Sequence, residues 1–107
     1  MRVELDAFSG LPSPAWDLPD PEASDLAEKI ESLPRVDARP HVPDLGYRGF
    51  LLRLRDESIR VFQGYVIREE SGRDTMYRDT ANIESQLAAD ARARGYGDVV
   101  RTIRSPR

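Results

Sequence analysis

Cysteine is absent from this sequence of 107 residues, and its absence removes several kinds of chemistry. Without thiols the chain has no disulfide, no thiolate zinc site and no thiol redox centre. Histidine occurs once, as His41 between Pro40 and Pro43, and no nucleophile elbow accompanies it. We therefore predict no metal and no cofactor, and no motif in the sequence points to a catalytic mechanism.

Long hydrophobic runs are also missing. The apolar runs are far shorter than a signal-peptide core or a membrane span, and the opening residues MRVELDAF alternate apolar with charged side chains. We expect a soluble, untargeted protein of the cytoplasm that makes no membrane contact.

Basic charge is scarce where nucleic-acid binding would need it. The formal net charge is -3, and the acidic residues concentrate between Asp17 and Glu31. Because phosphate binding needs a basic face, we expect no nucleic-acid partner. The locally basic tail RTIRSPR is the exception, and we expect its residues 104–107 to be frayed and solvated.

The residues that are present fit one folded domain. The chain is 39% hydrophobic, and its length suits a single core. We predict one α+β domain over residues 1–107.

Periodicity predicts a strand and then a helix in the first third of the chain. Val3 and Leu5 alternate with charged residues, as in a strand with one buried face. Asp20 has the chemistry of a helix cap, and apolar residues then recur at helical spacing as far as Leu33, before Pro34 ends the helix.

Two proline-containing loops flank that helix. The first, at 9–19, belongs to the stretch FSGLPSPAWDLPDP, which has four of the eight prolines and Trp16, the only tryptophan. The second, at 34–47, shows no period and is unusually long for a compact domain. Loops of this kind are typically functional or disordered.

The middle of the chain predicts a β-meander. The runs FLLRLR and SIRVFQGYVIRE are separated by Asp56 and Glu57, which indicates a hairpin. Within the second run, Gly64 marks a bulge or a close approach to the backbone, and the bulge is favoured. A turn at Glu70–Arg73 then leads into a short strand at Thr75–Arg78.

A second helix follows the meander. Asp79 or Thr80 caps it, and Gly95 ends it. Its apolar stripe consists of Ile83, Leu87 and Ala91. Val99 to Ile103 add a last short strand. The predicted fold is therefore α+β, with a mostly antiparallel sheet of about four strands and two helices packed on one face.

The pairing register assigns side chains to the two faces of this sheet. A two- or four-residue hairpin loop sets Leu54 opposite Ile59 and Leu52 opposite Val61. In the next hairpin Ile67 pairs with Met76, and Val66 with Tyr77. The predicted helix-facing set is Val3, Leu5, Phe50, Leu52, Leu54, Ile59, Val61, Tyr65, Ile67 and Met76.

The opposite face then retains an apolar patch. The patch consists of Leu51, Phe62, Val66 and Tyr77, with Phe8 nearby and with Arg53, Arg60 and Arg68 at its rim. A patch of this size usually binds a partner or a ligand, or is covered by another segment of the same chain. We expect the first loop to lay Trp16 over it, because the indole buries a large apolar area.

The arginines on this face need a negative partner. In the predicted register Arg53 lies opposite Arg60, which is unfavourable unless an acidic group lies between them. Glu4 and Asp6 of the first strand are the favoured source of that charge, and a bound anionic ligand is the alternative.

Two parts of the sequence resemble other proteins. The stretch VELDAFSGLPSPAWDL is similar to the opening of a set of small uncharacterised microbial proteins with a VEL-D-FSG-P-NP-W-L pattern, and GYRGFLLR with VFQGYV resembles their central hairpin. Ser13 stands where that pattern has asparagine. The resemblance implies no activity, and it implies only that the FSG stretch, Pro12, Pro14 and Trp16 form one structural unit.

Two hypotheses for function follow. The first is a small non-catalytic binding or accessory protein, of the immunity or biosynthetic-helper kind, which uses the outer sheet face and the proline-rich loops. Its binding residues are Trp16, Leu51, Phe62, Val66, Tyr77, Arg53 and Arg60, and its partner is another protein, a second copy or a small molecule. The alternative is a small acid-base enzyme with a pocket between the second loop and the sheet, in which His41, Glu4, Asp6 and Tyr77 transfer protons.

Overall fold

Ten secondary-structure elements make up the described part of the chain. The structure, a computed structural model, describes residues 1–7, 13–44, 46–54 and 56–103, with 101–103 described as backbone alone. The strands are β1 (Arg2–Leu5), β2 (Ala15–Asp17), β3 (Arg35–Val36), β4 (Phe50–Arg53), β5 (Glu57–Phe62), β6 (Tyr65–Glu70) and β7 (Arg73–Arg78). The helices are α1 (Glu22–Glu31), α2 (Ile83–Ala93) and α3 (Gly97–Ile103). The predictions for Phe8 and for the tail at 104–107 lie outside the described residues.

The strands form one antiparallel sheet in the order β2-β1-β4-β5-β6-β7-β3. The α+β class and the antiparallel sheet are therefore confirmed. The prediction of about four strands is wrong, because the described residues form seven.

A tight turn at Gln63 and Gly64 splits the run SIRVFQGYVIRE into β5 and β6. Both residues have positive φ angles, of 46° and 91°, as a two-residue turn of type I′ requires. Phe62 and Tyr65 pair directly across this turn. The predicted bulge at Gly64 is wrong, because the glycine lies in a turn that reverses the chain.

The other two unpredicted strands lie at the edges of the sheet. β2 lies within the first proline loop, where the Pro14 carbonyl accepts a hydrogen bond from the Leu5 N–H at 2.8 Å. β3 lies at the start of the second, where the Pro34 carbonyl accepts from the Arg78 N–H at 2.9 Å. Strands of two or three residues are too short to show a hydrophobic period, and their pairing partners are distant in sequence.

All three helices contribute side chains to a hydrophobic core on one face of the sheet, here called the helix face; the opposite face is called the outer face. The core includes Leu26 and Ile30 of α1, Ile83, Leu87 and Ala91 of α2, and Val100 of α3. The prediction of a strand at Val99–Ile103 is wrong. Burial of Val100 against the other helices outweighs the weak strand preference of β-branched residues.

In the first hairpin each β4 residue pairs with a β5 residue two positions earlier than predicted. Leu52 pairs with Ile59, and the Leu54 N–H donates to the Glu57 carbonyl at 3.0 Å. A shift of two residues leaves every side chain on its face, so Phe50, Leu52, Ile59 and Val61 all lie in the helix-face core as predicted. Leu54 is the exception, at 37% exposed beyond the end of β4.

The faces of the second hairpin are the reverse of those predicted. Its register is confirmed, since Val66 pairs with Tyr77 and Ile67 with Met76. The turn at Gln63–Gly64, however, sets Val66 opposite Val61 of the core. Val66 and Tyr77 therefore lie on the helix face. The side chains of Tyr65, Ile67 and Met76 take the outer face instead.

Local polar contacts fix the helix ends. The Asp79 carboxylate accepts from the Ile83 and Glu84 N–H groups at 2.8 and 2.9 Å, which confirms Asp79 as the cap of α2. Gly95 follows α2 with a φ of 99°, as predicted. Asp20 makes no capping bond to a backbone N–H of α1. Its carboxylate instead accepts from the Ser24 hydroxyl at 2.8 Å.

Gly49 is the glycine whose replacement we expect to be most damaging. Its φ is 96°, and a Cβ there would lie 2.4 Å from the Val61 carbonyl oxygen. Gly46 provides a matched control, because its φ is 86° but a Cβ would meet nothing within 4 Å. In urea unfolding we expect Gly49→Ala to cost about 3 kcal/mol or more and Gly46→Ala about 1 kcal/mol. Equal losses would contradict the close approach of β5.

Candidate functional site

Trp16 lies on the helix face, opposite Val3 in the pairing of β2 with β1. Its indole N–H donates to Asp90 Oδ2 of α2 at 2.9 Å, and its ring stacks on Tyr96 with the centroids 5.7 Å apart. The side chain is only 6% exposed. The prediction that Trp16 covers the outer face is wrong, because this residue packs against the helices. Its role is to fasten the edge strand to α2.

Residues 37–44 and 46–48, here called the crossing segment, approach the outer face instead. They connect β3 at one edge of the sheet with β4 near its middle, so they must pass over a face. Near the first end, Arg39 bonds Asp74 Oδ2 of β7 at 2.8 Å and reaches the Met76 sulfur at 4.0 Å. Both partners lie on the outer face, so the crossing segment runs over that face.

The other end of the crossing segment packs on β5. The Tyr47 ring lies 5.6 Å from the Phe62 ring, and the Arg48 carbonyl accepts from Arg60 Nη1 at 2.6 Å. Phe62 is 3% exposed, and Ile67 is 2% exposed, although both project from the face opposite the helices. The apolar residues of this part of the outer face are therefore covered.

Only some residues of the predicted apolar patch lie on the outer face. Leu51 pairs with Arg60 in the β4–β5 ladder, so both lie on the outer face, as does Phe62. Val66 and Tyr77 lie on the helix face, as described above, and Arg68 does too, because it pairs with Ile59 of the core. There Arg68 bonds Glu57 of β5 and Glu31 of α1, so it fastens α1 to the sheet.

On the outer face Arg53 and Arg60 pair with acidic residues of the chain itself, as the sequence favoured. Arg53 Nε donates to Glu4 Oε2 at 2.9 Å, and Arg60 Nη1 donates to Asp6 Oδ2 at 3.1 Å. The bond to Glu4 is the main cause that raises the pKa of Arg53. Arg53 itself pairs with Ser58 and not with Arg60, so the two arginines are not directly opposed.

The four predicted acid-base residues are not brought together. Glu4 and Asp6 lie on the outer face of β1, whereas Tyr77 lies on the helix face of β7. Four strand spacings separate β1 from β7, a distance of about 19 Å. His41 is an exposed residue of the crossing segment. The acid-base hypothesis therefore remains a prediction.

A polar network holds the end of the crossing segment to α2. The Tyr47 hydroxyl donates to Glu84 Oε2, and the Gly64 N–H donates to the other oxygen at 3.2 Å. The Gly64 carbonyl in turn accepts from the Asp79 N–H at 2.8 Å. Burial, followed by the hydrogen bond and charge of Glu84, raises the pKa of Tyr47 far above its ordinary value of 10.0.

A groove and a row of exposed carboxylates lie on the surface around α1. A groove of about 500 Å³ separates α1 from the end of β4. Its apolar lining is Met1, Ala23, Ala27 and Leu54, and Arg53 lies at its rim. We call it the α1 groove. Along the exposed surface of the same helix, Glu22, Asp25 and Glu28 form a row with no ion pair to any described residue.

Two kinds of feature are absent from the described residues. No described group of three His, Asp or Glu residues could hold a metal ion. None of the described helices has the length and apolar character needed to cross a membrane.

Comparison with known proteins found no match to a family model, to a curated protein or to a solved structure. Any assignment of function therefore rests on the geometry of this chain.

Sequence reasoning did not single out Arg48 or Tyr47. Both residues occur in the stretch GYRGFLLR, where a tyrosine and an arginine stand between two glycines directly before a strand. That context indicates a close backbone approach at Gly49, but it does not indicate which side chains the approach brings together.

We expect Trp16→Ala to cost about 3–5 kcal/mol of unfolding free energy, because it removes a large buried side chain. Trp16→Phe keeps much of the burial and loses the bond to Asp90, for which we expect about 1–2 kcal/mol. Circular dichroism in urea measures both, since the variants have no tryptophan emission. An unchanged midpoint for Trp16→Ala would contradict the anchoring role.

Tyr47 should make the protein sensitive to alkali. Its pKa is raised in the folded state, so its contribution to stability is complete below pH 10 and declines as the pH rises above that value, where the unfolded chain releases the proton first. Relative to Tyr47→Phe, the wild type should lose about 1.4 kcal/mol per pH unit there. Urea unfolding of both proteins between pH 8 and about pH 11 tests this, and parallel curves would refute it.

Proposed function

We propose that this protein is a non-catalytic binding or accessory protein, of the immunity or biosynthetic-helper kind, which binds a basic partner protein through α1. The observation that supports the proposal most directly is the row of Glu22, Asp25 and Glu28. These carboxylates are exposed on one helix and form no ion pair with a described residue, and Lys29 is the one basic side chain of that helix beside them.

The charge of the chain is unevenly distributed in a way that favours such a partner. Residues 17–31 have six acidic side chains and one basic one, whereas the rest of the chain has more basic than acidic residues. A field of one sign concentrated on one helix steers an oppositely charged protein and accelerates its association. The charge distribution thus favours a basic partner, and this argument requires no catalytic activity of the protein.

The α1 groove supplies the apolar contact that charge alone does not. Leu54 at its rim is 37% exposed, and the small side chains of Ala23 and Ala27 leave room on its opposite wall. Interface energy commonly comes from a large side chain inserted in such a recess and surrounded by polar contacts. We therefore expect an aromatic or aliphatic anchor of the partner to enter the α1 groove.

The outer face is a weaker candidate for this role than the sequence suggested. Tyr47 of the crossing segment packs on Phe62, and Phe62 and Ile67 are both almost fully buried. A partner would have to displace that segment to reach them. For the same reason, binding through Trp16 or Val66 would require the helices to separate from the sheet.

Charge reversal on α1 should abolish partner capture. The immobilised wild-type protein is compared with Asp25→Arg/Glu28→Arg in native lysate of the source organism, at about 50 and 300 mM salt. We expect the wild type to retain a basic protein at low salt, to retain less of it at high salt, and the variant to lose it.

The matched control is Glu69→Arg/Glu70→Arg, which makes the same charge change at the exposed end of β6. It should retain the partner. Loss of capture by both variants would indicate a dependence on net charge alone, and retention by both would contradict binding through α1. Sedimentation of the wild type tests the remaining option, because a stable homodimer that buries Leu54 would also overturn the proposal.

A further inference from the structure

Three charged side chains converge on the outer face where β1, β5 and the crossing segment meet. Asp6 Oδ2 lies 3.1 Å from Arg60 Nη1 and 3.7 Å from Arg48 Nη1. Two guanidinium groups thus share one carboxylate oxygen, which leaves one positive charge without a partner. Asp6 and Arg60 are 17% and 14% exposed, so water screens this excess only in part.

Arg48 is the group that the protein leaves unsatisfied. At 3.7 Å its contact with Asp6 is too long for a hydrogen bond. Its Nε is out of contact with solvent and has no acceptor in the structure, a costly state for a buried N–H donor. The side chain as a whole is 36% exposed, so the rest of the guanidinium can be reached from outside.

Neighbouring acidic groups on this face are already engaged. Arg60 holds Asp6 at hydrogen-bond distance, and Arg53 holds Glu4 at 2.9 Å. Neither carboxylate can move to Arg48 without leaving another arginine unpaired. Neither carboxylate therefore supplies Arg48 with a hydrogen-bond acceptor of its own.

We propose that Arg48, supported by Arg60, binds a carboxylate group at this position. One carboxylate neutralises the single excess charge, and its two oxygens match the terminal Nη1–Nη2 edge of the Arg48 guanidinium, because Nε itself is closed to solvent. A dianionic phosphate would leave a negative charge close to Asp6, so it fits less well. The site is separate from the α1 groove and does not depend on the function proposed for it.

Titration with sodium succinate and sodium acetate tests the site, with chloride used to hold the ionic strength constant. The readouts are the thermal midpoint and the Arg48 Nε–H signal in a proton–nitrogen NMR spectrum. We expect a saturable shift of both in the wild type. Arg48→Gln should weaken the thermal response at least about tenfold, because it removes a charge-assisted bond. Arg48→Lys, which keeps the charge but lacks the fork, should fall between them.

Arg39→Gln is the matched control, since it removes an arginine of the crossing segment that is bonded to Asp74 of β7, away from Asp6 and Arg60. It should keep the full response to succinate. A response that persists in Arg48→Gln, or one no larger than that to chloride, would overturn the site. Tighter binding of inorganic phosphate than of succinate would overturn its assignment to carboxylates.

A second arm separates the sources of the carboxylate. A short peptide with a free C-terminus is compared with the same peptide as its amide. Binding of the free acid alone, at or above the affinity of succinate, indicates a peptide terminus. Binding of succinate with no response to either peptide indicates a small organic acid, and both results support the carboxylate site.

Discussion

The path from β3 to β4 determines how both faces of the sheet are used. β3 is an edge strand and β4 is near the middle, so the chain between them has to cross a face. The helices pack on one face, and the crossing segment therefore takes the other. Burial of Phe62 and the positions of Tyr47 and Arg48 are consequences of this one topological requirement.

Gly49 lies where the crossing segment ends, in close contact with the backbone of β5. Its backbone approaches the Val61 carbonyl so nearly that no side chain fits, and the Asp6 N–H donates to its carbonyl at 2.9 Å. The neighbouring Arg48 N–H donates to the Asp6 carbonyl at 2.7 Å. These bonds fix the backbone beside β1, and they bring the Arg48 side chain next to an arginine whose position β5 already sets. The approach of two guanidinium groups to one carboxylate is therefore a result of backbone geometry.

Much of the fold could be predicted from the sequence because side chains alternate between the two faces of a strand, so a shift by an even number of residues changes no face. In the first hairpin the pairing partners differ by two residues from the prediction, yet Leu52 and Val61 lie on the predicted face, since an even shift preserves orientation. Gly64 had the opposite effect. A bulge and a tight turn both suit glycine, and choosing the bulge reversed Val66 and Ile67 between the faces although their pairing register was correct.

The candidate sites were harder to predict because their contacts are distant in sequence. Trp16 was recognised as a packing residue, but its partners Asp90 and Tyr96 lie more than 70 residues away, and no local pattern selects the face on which it lies. Pairing of Glu4 with Arg53 could be inferred from strand order, whereas the position of Arg48 depends on a loop without a period. The charge on α1 was visible in composition, whereas the lack of ion pairs at Glu22, Asp25 and Glu28 depends on the positions of distant arginines.

The short strands at the two edges of the sheet have a consequence for the protein at high concentration. An exposed edge offers unpaired backbone groups to other chains and can seed aggregation or strand exchange. Here β2 lies between Pro14 and Pro19, and β3 directly follows Pro34. Proline has no backbone N–H, so these positions offer no hydrogen-bond donor to another strand. The part of β7 that β3 leaves uncovered contains Arg73 and Asp74, whose charges oppose close packing of another strand. The sheet therefore offers little template for fibre growth, although it is open at both ends.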